Sequence, residues 1–141
     1  MDELKVVRER REEYSQLTQF RSSRDIYVTF RERFEKADRE EFLVLLLDGK
    51  NKLLGFNLVS IGTLTGSLTH PREVFKAAIL GNAASIILLH NHPSGDPIPS
   101  AEDMEITKRL REAGEIIGIK VLDHVIIGDS RYISFVEDGY F

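Results

Sequence analysis

Two nearly continuous apolar runs constrain the fold of this chain most. EEFLVLLLD occupies residues 40–48, and SIILLH occupies residues 85–90. Runs of this length and composition predict buried β-strands. KLLGFNLVSIG, at residues 52–62, follows the first run after a DGKN turn and predicts its hairpin partner. We therefore expect a β-sheet at the centre of the fold.

Amphipathic helices are expected around these strands. In residues 22–38, the side chains of Ile26, Tyr27, Phe30 and Phe34 recur at intervals of three and four, which predicts one apolar helical stripe. Ser22 or Ser23 can cap the start of that helix. Further helices are predicted at residues 70–82 and 100–118, and strands or strand-like segments at residues 120–129 and 131–141.

The order of these elements predicts a single α/β domain. The 141 residues have the length of one ordinary domain, and the sequence contains neither an internal repeat nor a domain linker. The expected fold class is a mixed β-sheet flanked by helices, spanning residues 22–141. Residues 1–21 are charged, and we expect them to form an N-terminal arm or lead-in.

Composition argues against several classes of protein. The formal net charge of −4 does not favour a broad basic surface, so a DNA partner is weakly supported. The chain has no cysteine, which excludes disulfide scaffolds and Cys-rich zinc folds. No apolar run reaches membrane-spanning length, and the first residues do not resemble a secretory signal. We expect a cytoplasmic protein without a membrane partner.

The segment LLHNHPSGDPIPSAEDM, at residues 88–104, contains two of the four histidines of the chain. His90 and His92 are two residues apart on an extended segment, so their side chains point the same way and could bind one metal ion. Asp103 could be a third ligand if the proline-rich loop folds back. Two histidines, one aspartate and a water would form an open, catalytic type of zinc site.

A hydrolytic site of this kind also needs a general base. Glu40 and Glu41 begin the first apolar run, and alternation along a strand says only that they face opposite sides. A different interpretation needs no metal. In it, Ser100 and Asp103 form the capping box that begins the helix at residues 100–118. The two interpretations of Asp103 are compatible.

The spacing of His90, His92, Ser100 and Asp103, with a glutamate upstream, closely resembles the JAMM metalloprotease motif of the JAB1/MPN fold. The surrounding sequences GTLTGSLTHPREVFKAAI and LDHVIIGD resemble the RadC branch of this superfamily. The resemblance covers roughly residues 22–141. It implies a single JAB1/MPN-like (cytidine-deaminase-like) domain.

The resemblance also implies an activity. His90, His92 and Asp103 would bind Zn²⁺, and Ser100 would donate a hydrogen bond to the reacting oxyanion or order the loop. The EEF pattern places the general acid/base at Glu40, with Glu41 as its rival. The reaction would be hydrolysis of an amide or isopeptide bond in a protein or peptide substrate.

Two departures from the family pattern qualify this resemblance. Asn91 stands between the histidines, where JAMM proteases usually carry Ser or Thr; Asn follows the RadC pattern and argues against a deubiquitinase-like substrate. Longer RadC-like proteins carry a DNA-binding helix-hairpin-helix segment where this chain has residues 1–21. The chain is thus expected to be an excised domain or a short member. A DNA-associated module and a non-catalytic scaffold are the alternative functions.

Other polar residues have simpler expected roles. His70 precedes a proline at a helix start and is expected to cap that helix or lie on the surface. His124 lies between apolar residues, which favours a buried histidine with a satisfied hydrogen bond; support for a metal ligand is the alternative. Arg72 could lie near the site, and Asp96 is expected to be solvated.

Overall fold

The computed structural model describes residues 1–3, 5, 19–62 and 69–141. It contains a five-stranded mixed sheet with helices on both faces, which confirms the predicted fold class. The helices are α1 (Ser23–Glu35), α2 (Pro71–Leu80) and α3 (Ala101–Ile117). The strands are β1 (Glu41–Leu47), β2 (Leu53–Ile61), β3 (Ser85–Asn91), β4 (Lys120–Ile127) and β5 (Tyr132–Ser134).

The strand order is β2–β1–β3–β4–β5, so the two apolar runs of the sequence lie side by side as β1 and β3. β1 pairs antiparallel with both β2 and β3, and β4 pairs antiparallel with β5. β3 and β4 are parallel and are connected through α3. This connection brings the N-terminus of α3 to the end of the sheet at which β3 terminates.

Alternate side chains of β1 and β3 enter two separate cores. On one face, α2 and α3 pack on residues such as Phe42, Val44 and Leu88. On the other face, α1 packs on residues such as Leu43 and Leu89. Each strand therefore presents apolar side chains in both directions, which is why its sequence is apolar without alternation.

A β-bulge in β4 changes which residues face α3. Ile86 pairs with Val121 but Ile87 pairs with Asp123, so one residue of β4 has no partner in β3. Val121 belongs to the core under α2 and α3. Unbroken alternation from Val121 would turn His124 toward α1, whereas the bulge directs it toward α3.

The C-terminal segment contains less strand than predicted from residues 131–141. β5 has three residues, and turns follow it. The Asp123 carboxylate accepts hydrogen bonds from the Ser134 hydroxyl at 2.5 Å and from the Val136 N–H at 3.1 Å, and this bends the chain away from the sheet.

The predicted arm lies mostly outside the described residues. Phe20, at its end, is buried in the core under α1, and its N–H donates to the Asn51 carbonyl at 3.0 Å. None of the helices in the described ranges is long and apolar enough to cross a membrane.

Candidate metal centre

Four side chains converge where β3 ends and α3 begins. Glu40, His90, His92 and Asp103 each present one potential ligand atom, and these atoms all lie within 4.8 Å of one another. Glu40 lies just before β1, His90 and His92 lie at and just after the end of β3, and Asp103 lies in the first turn of α3. The sheet pairing and the short loop before α3 therefore assemble a group that is dispersed over more than sixty residues of sequence.

The distances and the donor types in this group suit a divalent cation. Nε2 of His90 lies 3.2 Å from Oδ1 of Asp103 and 3.2 Å from Nε2 of His92. Nε2 of His92 lies 2.9 Å from Oδ2 of Asp103. Bonds of about 2.0–2.1 Å in a tetrahedral zinc site place ligand atoms roughly 3.3 Å apart. Two imidazoles and a carboxylate thus fit such an ion, although they do not select zinc alone.

The two adjacent glutamates at the start of β1 face opposite sides of the sheet. Oε1 of Glu40 lies 3.5 Å from Nε2 of His90. Glu41 instead receives a hydrogen bond at 3.0 Å from Nη2 of Arg33, which belongs to α1. Glu40 shares its direction with Phe42 in the core under α3, because residues two apart on a strand face the same way. The structure therefore brings Glu40, and not Glu41, to the histidines.

Asn91, between the two histidines, holds the backbone on both sides of Glu40. Its Nδ2 donates to the Arg39 carbonyl at 3.0 Å, and its Oδ1 accepts from the Glu41 N–H at 2.7 Å. Asn91 is buried, with only 4% of its surface exposed. Sequence reasoning noted Asn91 only as a departure from a pattern and missed this contact, which depends on the pairing of β1 with β3.

His92 is oriented by the loop that follows it. Its Nδ1 lies 2.8 Å from the Asp96 carbonyl oxygen. A carbonyl can only accept, so Nδ1 carries a hydrogen, and in the neutral ring the lone pair is on Nε2, the atom that faces Asp103. The same loop packs tightly on Gly128, where an added Cβ would lie 2.3 Å from the Gly95 carbonyl oxygen.

Asp103 serves the helix cap and the ligand group together. The Ser100 N–H donates to Oδ2 of Asp103 at 2.9 Å, and the Asp103 N–H donates to Oγ of Ser100 at 3.0 Å. This is the predicted capping box. It fixes the carboxylate while Oδ1 remains directed at His90. Ser100 itself is exposed and is not one of the four converging residues.

His124 is a buried histidine, as expected, and it also contacts a candidate ligand. Its Nε2 lies 2.7 Å from Nδ1 of His90, and its Nδ1 lies 2.5 Å from Oγ1 of Thr107. His90 and His124 are both fully buried. No local pattern in the sequence indicated Thr107, because its contact with His124 depends on the bulge in β4.

The surroundings set the charges of the site. Burial lowers the pKa of His90 and of His124, which favours neutral imidazoles. Asp103 raises the pKa of His92, because only the protonated imidazole can donate a hydrogen bond from Nε2 to that carboxylate. Burial alone would raise the pKa of Asp103, but its close contacts with His90 and His92 outweigh the burial and hold that pKa far below its ordinary value. Burial, followed by repulsion from Asp103, raises the pKa of Glu40.

The remaining polar residues lie outside the converging group. His70 caps α2 as predicted, since its Nδ1 accepts from the Arg72 N–H at 3.0 Å. Arg72 is exposed beside Glu73, at 3.6 Å. The exposed Asp96 carboxylate accepts from the Ile98 N–H at 3.1 Å and so orders the loop.

A cavity of about 370 Å³ opens beside His92 on the α1 side of the loop. Its walls come from α1, the loop after β3 and the end of β4. The lining includes Tyr27, Arg31, Asn91, Ser94 and Asp129.

Comparison with known proteins gives a consistent family match. A family model described as the RadC-like JAB domain matches residues 20–140. A UPF0758 protein of Pelobacter propionicus is 56% identical over 123 residues, which cover 87% of this chain and 54% of that protein. A UPF0758 protein of Caldanaerobacter subterraneus is 58% identical over 120 residues, covering 85% of this chain and 52% of the relative. One from Methanosarcina acetivorans is 50% identical over 119 residues. The chain spans about half the length of these relatives.

Proposed function

This chain belongs to the RadC-like JAB domain family, and from that membership we propose that it is a metal-dependent hydrolase of the JAMM type. The proposed reaction is cleavage of an amide or isopeptide bond in a protein or peptide, in the cytoplasm. The observation that carries the proposal is the convergence of Glu40, His90, His92 and Asp103 within 4.8 Å. A hydrolase of this kind needs metal ligands and a proton-transfer group in one place, and these four residues supply both types of side chain.

His90, His92 and Asp103 would hold the cation, for which Zn²⁺ is our proposal. A bound zinc ion in such a site lowers the pKa of a coordinated water to about 7 and polarises a carbonyl. The neutral His90 and the ionised Asp103 are already in the protonation states that ligands require. The cap at Ser100 keeps the carboxylate in place without using its second oxygen.

Glu40 is proposed as the general acid/base. Its raised pKa suits a group that takes a proton from the attacking water and returns it to the leaving nitrogen. Asn91 keeps the backbone around Glu40 fixed. Ser100 is proposed to order the loop or to donate to the oxyanion, and the cavity beside His92 offers room for part of a substrate.

The test is cleavage of a library of internally quenched peptides, together with a lysine isopeptide reporter, by the purified protein with Zn²⁺ added. We expect metal-dependent cleavage that Glu40→Gln reduces by roughly 10²–10⁴-fold, the usual contribution of a general acid or base. Glu41→Gln is the matched control, because this neighbour faces Arg33 on the other side of the sheet.

Cleavage that survives chelation, or that Glu41→Gln abolishes while Glu40→Gln leaves it intact, would contradict the proposal. Absence of cleavage of every substrate by a protein that has bound zinc would count against a peptidase. The JAMM-type assignment would then have to be replaced by a non-hydrolytic role for the same metal centre.

A further inference from the structure

A chain of three buried hydrogen bonds connects the Asp103 backbone to the His90 ring. Oγ1 of Thr107 donates to the Asp103 carbonyl at 2.6 Å. Nδ1 of His124 lies 2.5 Å from the same Oγ1, and Nε2 of His124 lies 2.7 Å from Nδ1 of His90. All of these side chains are at most 2% exposed. This hydrogen-bond chain therefore starts and ends at residues of the candidate metal site.

The direction of this chain is set at its first member. A carbonyl oxygen can only accept, so the single hydrogen of the Thr107 hydroxyl is used there. Oγ1 must then accept from Nδ1–H of His124. A neutral imidazole that donates from Nδ1 has its lone pair on Nε2, and this lone pair accepts from Nδ1–H of His90. The Nε2 lone pair of His90 consequently faces His92 and Asp103, as a metal ligand requires.

The side chains of this hydrogen-bond chain have little freedom to rearrange. The His124 ring stacks on Phe135, with ring centres 4.6 Å apart and planes 18° apart. Thr107 lies one helical turn after Asp103, so its hydroxyl follows the backbone of the ligand residue. The bulge in β4 fixes the side of the sheet to which His124 points.

We propose that Thr107 and His124 are positioning residues that hold His90 as the Nδ1–H tautomer and so present its Nε2 to the metal. The part of this inference that concerns metal binding rests on the proposed function. The part that concerns the tautomer of His90 is independent of it. His92 needs no such pair, because the Asp96 carbonyl orients it directly. The dependence on named side chains is thus specific to His90.

The first test is the zinc affinity of matched variants, measured by competition with a chromophoric chelator. Thr107→Val keeps the shape of the side chain but removes the hydroxyl, and Thr107→Ser restores it. His124→Leu removes both ring nitrogens, and His124→Gln restores an acceptor near the former Nε2. We expect Thr107→Val and His124→Leu to weaken zinc binding by roughly 10–100-fold, and the restoring variants to stay close to the wild-type value.

The second test reads the tautomer without metal or substitution. Long-range nitrogen–proton NMR correlations of the imidazoles in the metal-free wild-type protein are expected to show His90 and His124 protonated at Nδ1. Thr107→Val is expected to give a mixture of tautomers at His124. The thermal unfolding midpoint of every variant separates loss of the hydrogen-bond chain from loss of the fold.

The outcomes distinguish this inference from the proposed function. A wild-type protein that binds no zinc would contradict the proposed function, and the tautomer measurement would still decide the inference. Equal zinc affinity in Thr107→Val, Thr107→Ser and the wild type would overturn the inference while the metal centre stands. Protonation of His90 at Nε2 in the metal-free protein would overturn it as well.

Discussion

The two candidate ligand histidines are two residues apart, yet they are held by different kinds of partner. His92 is partly exposed and donates to a backbone carbonyl in the loop before α3. His90 is fully buried and contacts the side chain of His124 in the core. A backbone carbonyl is present whatever the side chain is, whereas a side-chain partner is lost in a single substitution. We call the contact of His92 with the Asp96 carbonyl the loop side of the site, and the contact of His90 with His124 its core side. The loop side should respond to changes in backbone position, and the core side to changes in side-chain chemistry.

Removing the carboxylate that touches both histidines should have the largest effect. Asp103→Ala deletes contacts of 3.2 Å and 2.9 Å to the two Nε2 atoms, so it affects the loop side and the core side together. We expect zinc binding to fall by more than the roughly 10–100-fold that loss of an outer partner costs. Metal content after gentle purification, measured by elemental analysis, checks this.

Ser100→Ala is the control for the other role of Asp103. It removes the hydroxyl that caps α3 but leaves the Asp103 carboxylate. We expect a loss of about 1 kcal/mol in the free energy of unfolding, with metal content retained. Equal loss of metal in the two variants would mean that the cap, and not the carboxylate, controls the site.

The loop side is tested by moving its backbone. Gly128→Ala would place a Cβ 2.3 Å from the Gly95 carbonyl oxygen, so the loop that carries Asp96 must shift. We expect roughly tenfold weaker zinc binding and a loss of about 1–3 kcal/mol in stability. Chelator competition and urea unfolding measure the two effects.

Gly49→Ala is the matched control, since nothing lies within 4 Å of an added Cβ at that exposed turn. It is expected to leave zinc affinity unchanged. If Gly128→Ala behaved in the same way, the loop would not be the support of His92, and the contrast between the two histidines would be lost.

A substitution at Asn91 tests whether the support of Glu40 is separate from the support of the two histidines. Asn91→Ala deletes hydrogen bonds of 3.0 Å and 2.7 Å on the two sides of Glu40 but no contact to the ligand atoms. We expect zinc affinity to be retained and peptide cleavage to fall about tenfold, a fraction of the effect of removing a general base.

A parallel Asn57→Ala variant, on edge strand β2, controls for the loss of an amide from the sheet. If Asn91→Ala weakened zinc binding as strongly as cleavage, Asn91 would support the histidines rather than Glu40.

The smallest expected effect is a pH-dependent change in stability at Asp123, whose carboxylate accepts a hydrogen bond from the His124 N–H. Burial raises the pKa of Asp123 above its ordinary value of 3.8, although its Oδ1 accepts from the His124 N–H at 2.7 Å. The folded state therefore holds this proton more tightly than the unfolded state. The contribution of Asp123 to the free energy of unfolding must therefore fall as the pH rises through the interval between 3.8 and the raised pKa.

Urea unfolding of the wild type and of Asp123→Asn at about pH 4 and about pH 7 isolates this group, because the other carboxyl groups are common to both proteins. We expect the wild type to gain stability relative to the variant in acid. A relative loss in acid would show that the hydrogen bonds to Asp123 outweigh its burial.

The sequence was sufficient for the features that depend on local pattern. The buried strands β1 and β3, the cap at His70 and the capping box of Ser100 and Asp103 all follow from neighbouring residues. The fold class and family were recognisable because the spacing from His90 to Asp103 is local as well.

The features that local patterns alone could not supply depend on long-range pairing. Alternation separated Glu40 from Glu41 but could not say which of them faces α3, because that requires the positions of α1 and α3 on the sheet. The bulge in β4 reverses the direction that alternation predicts for His124. Asn91 reaches the backbone beside Glu40 only because β1 and β3 are neighbours.

The central claim is that one metal ion binds where β3 meets α3. Crystals grown with Zn²⁺ and measured on both sides of the zinc absorption edge test it most directly. We expect a single strong anomalous peak within bonding distance of Nε2 of His90, Nε2 of His92 and the Asp103 carboxylate, and loss of that peak in Asp103→Ala. A zinc peak elsewhere, or no peak at these three groups, would contradict the account.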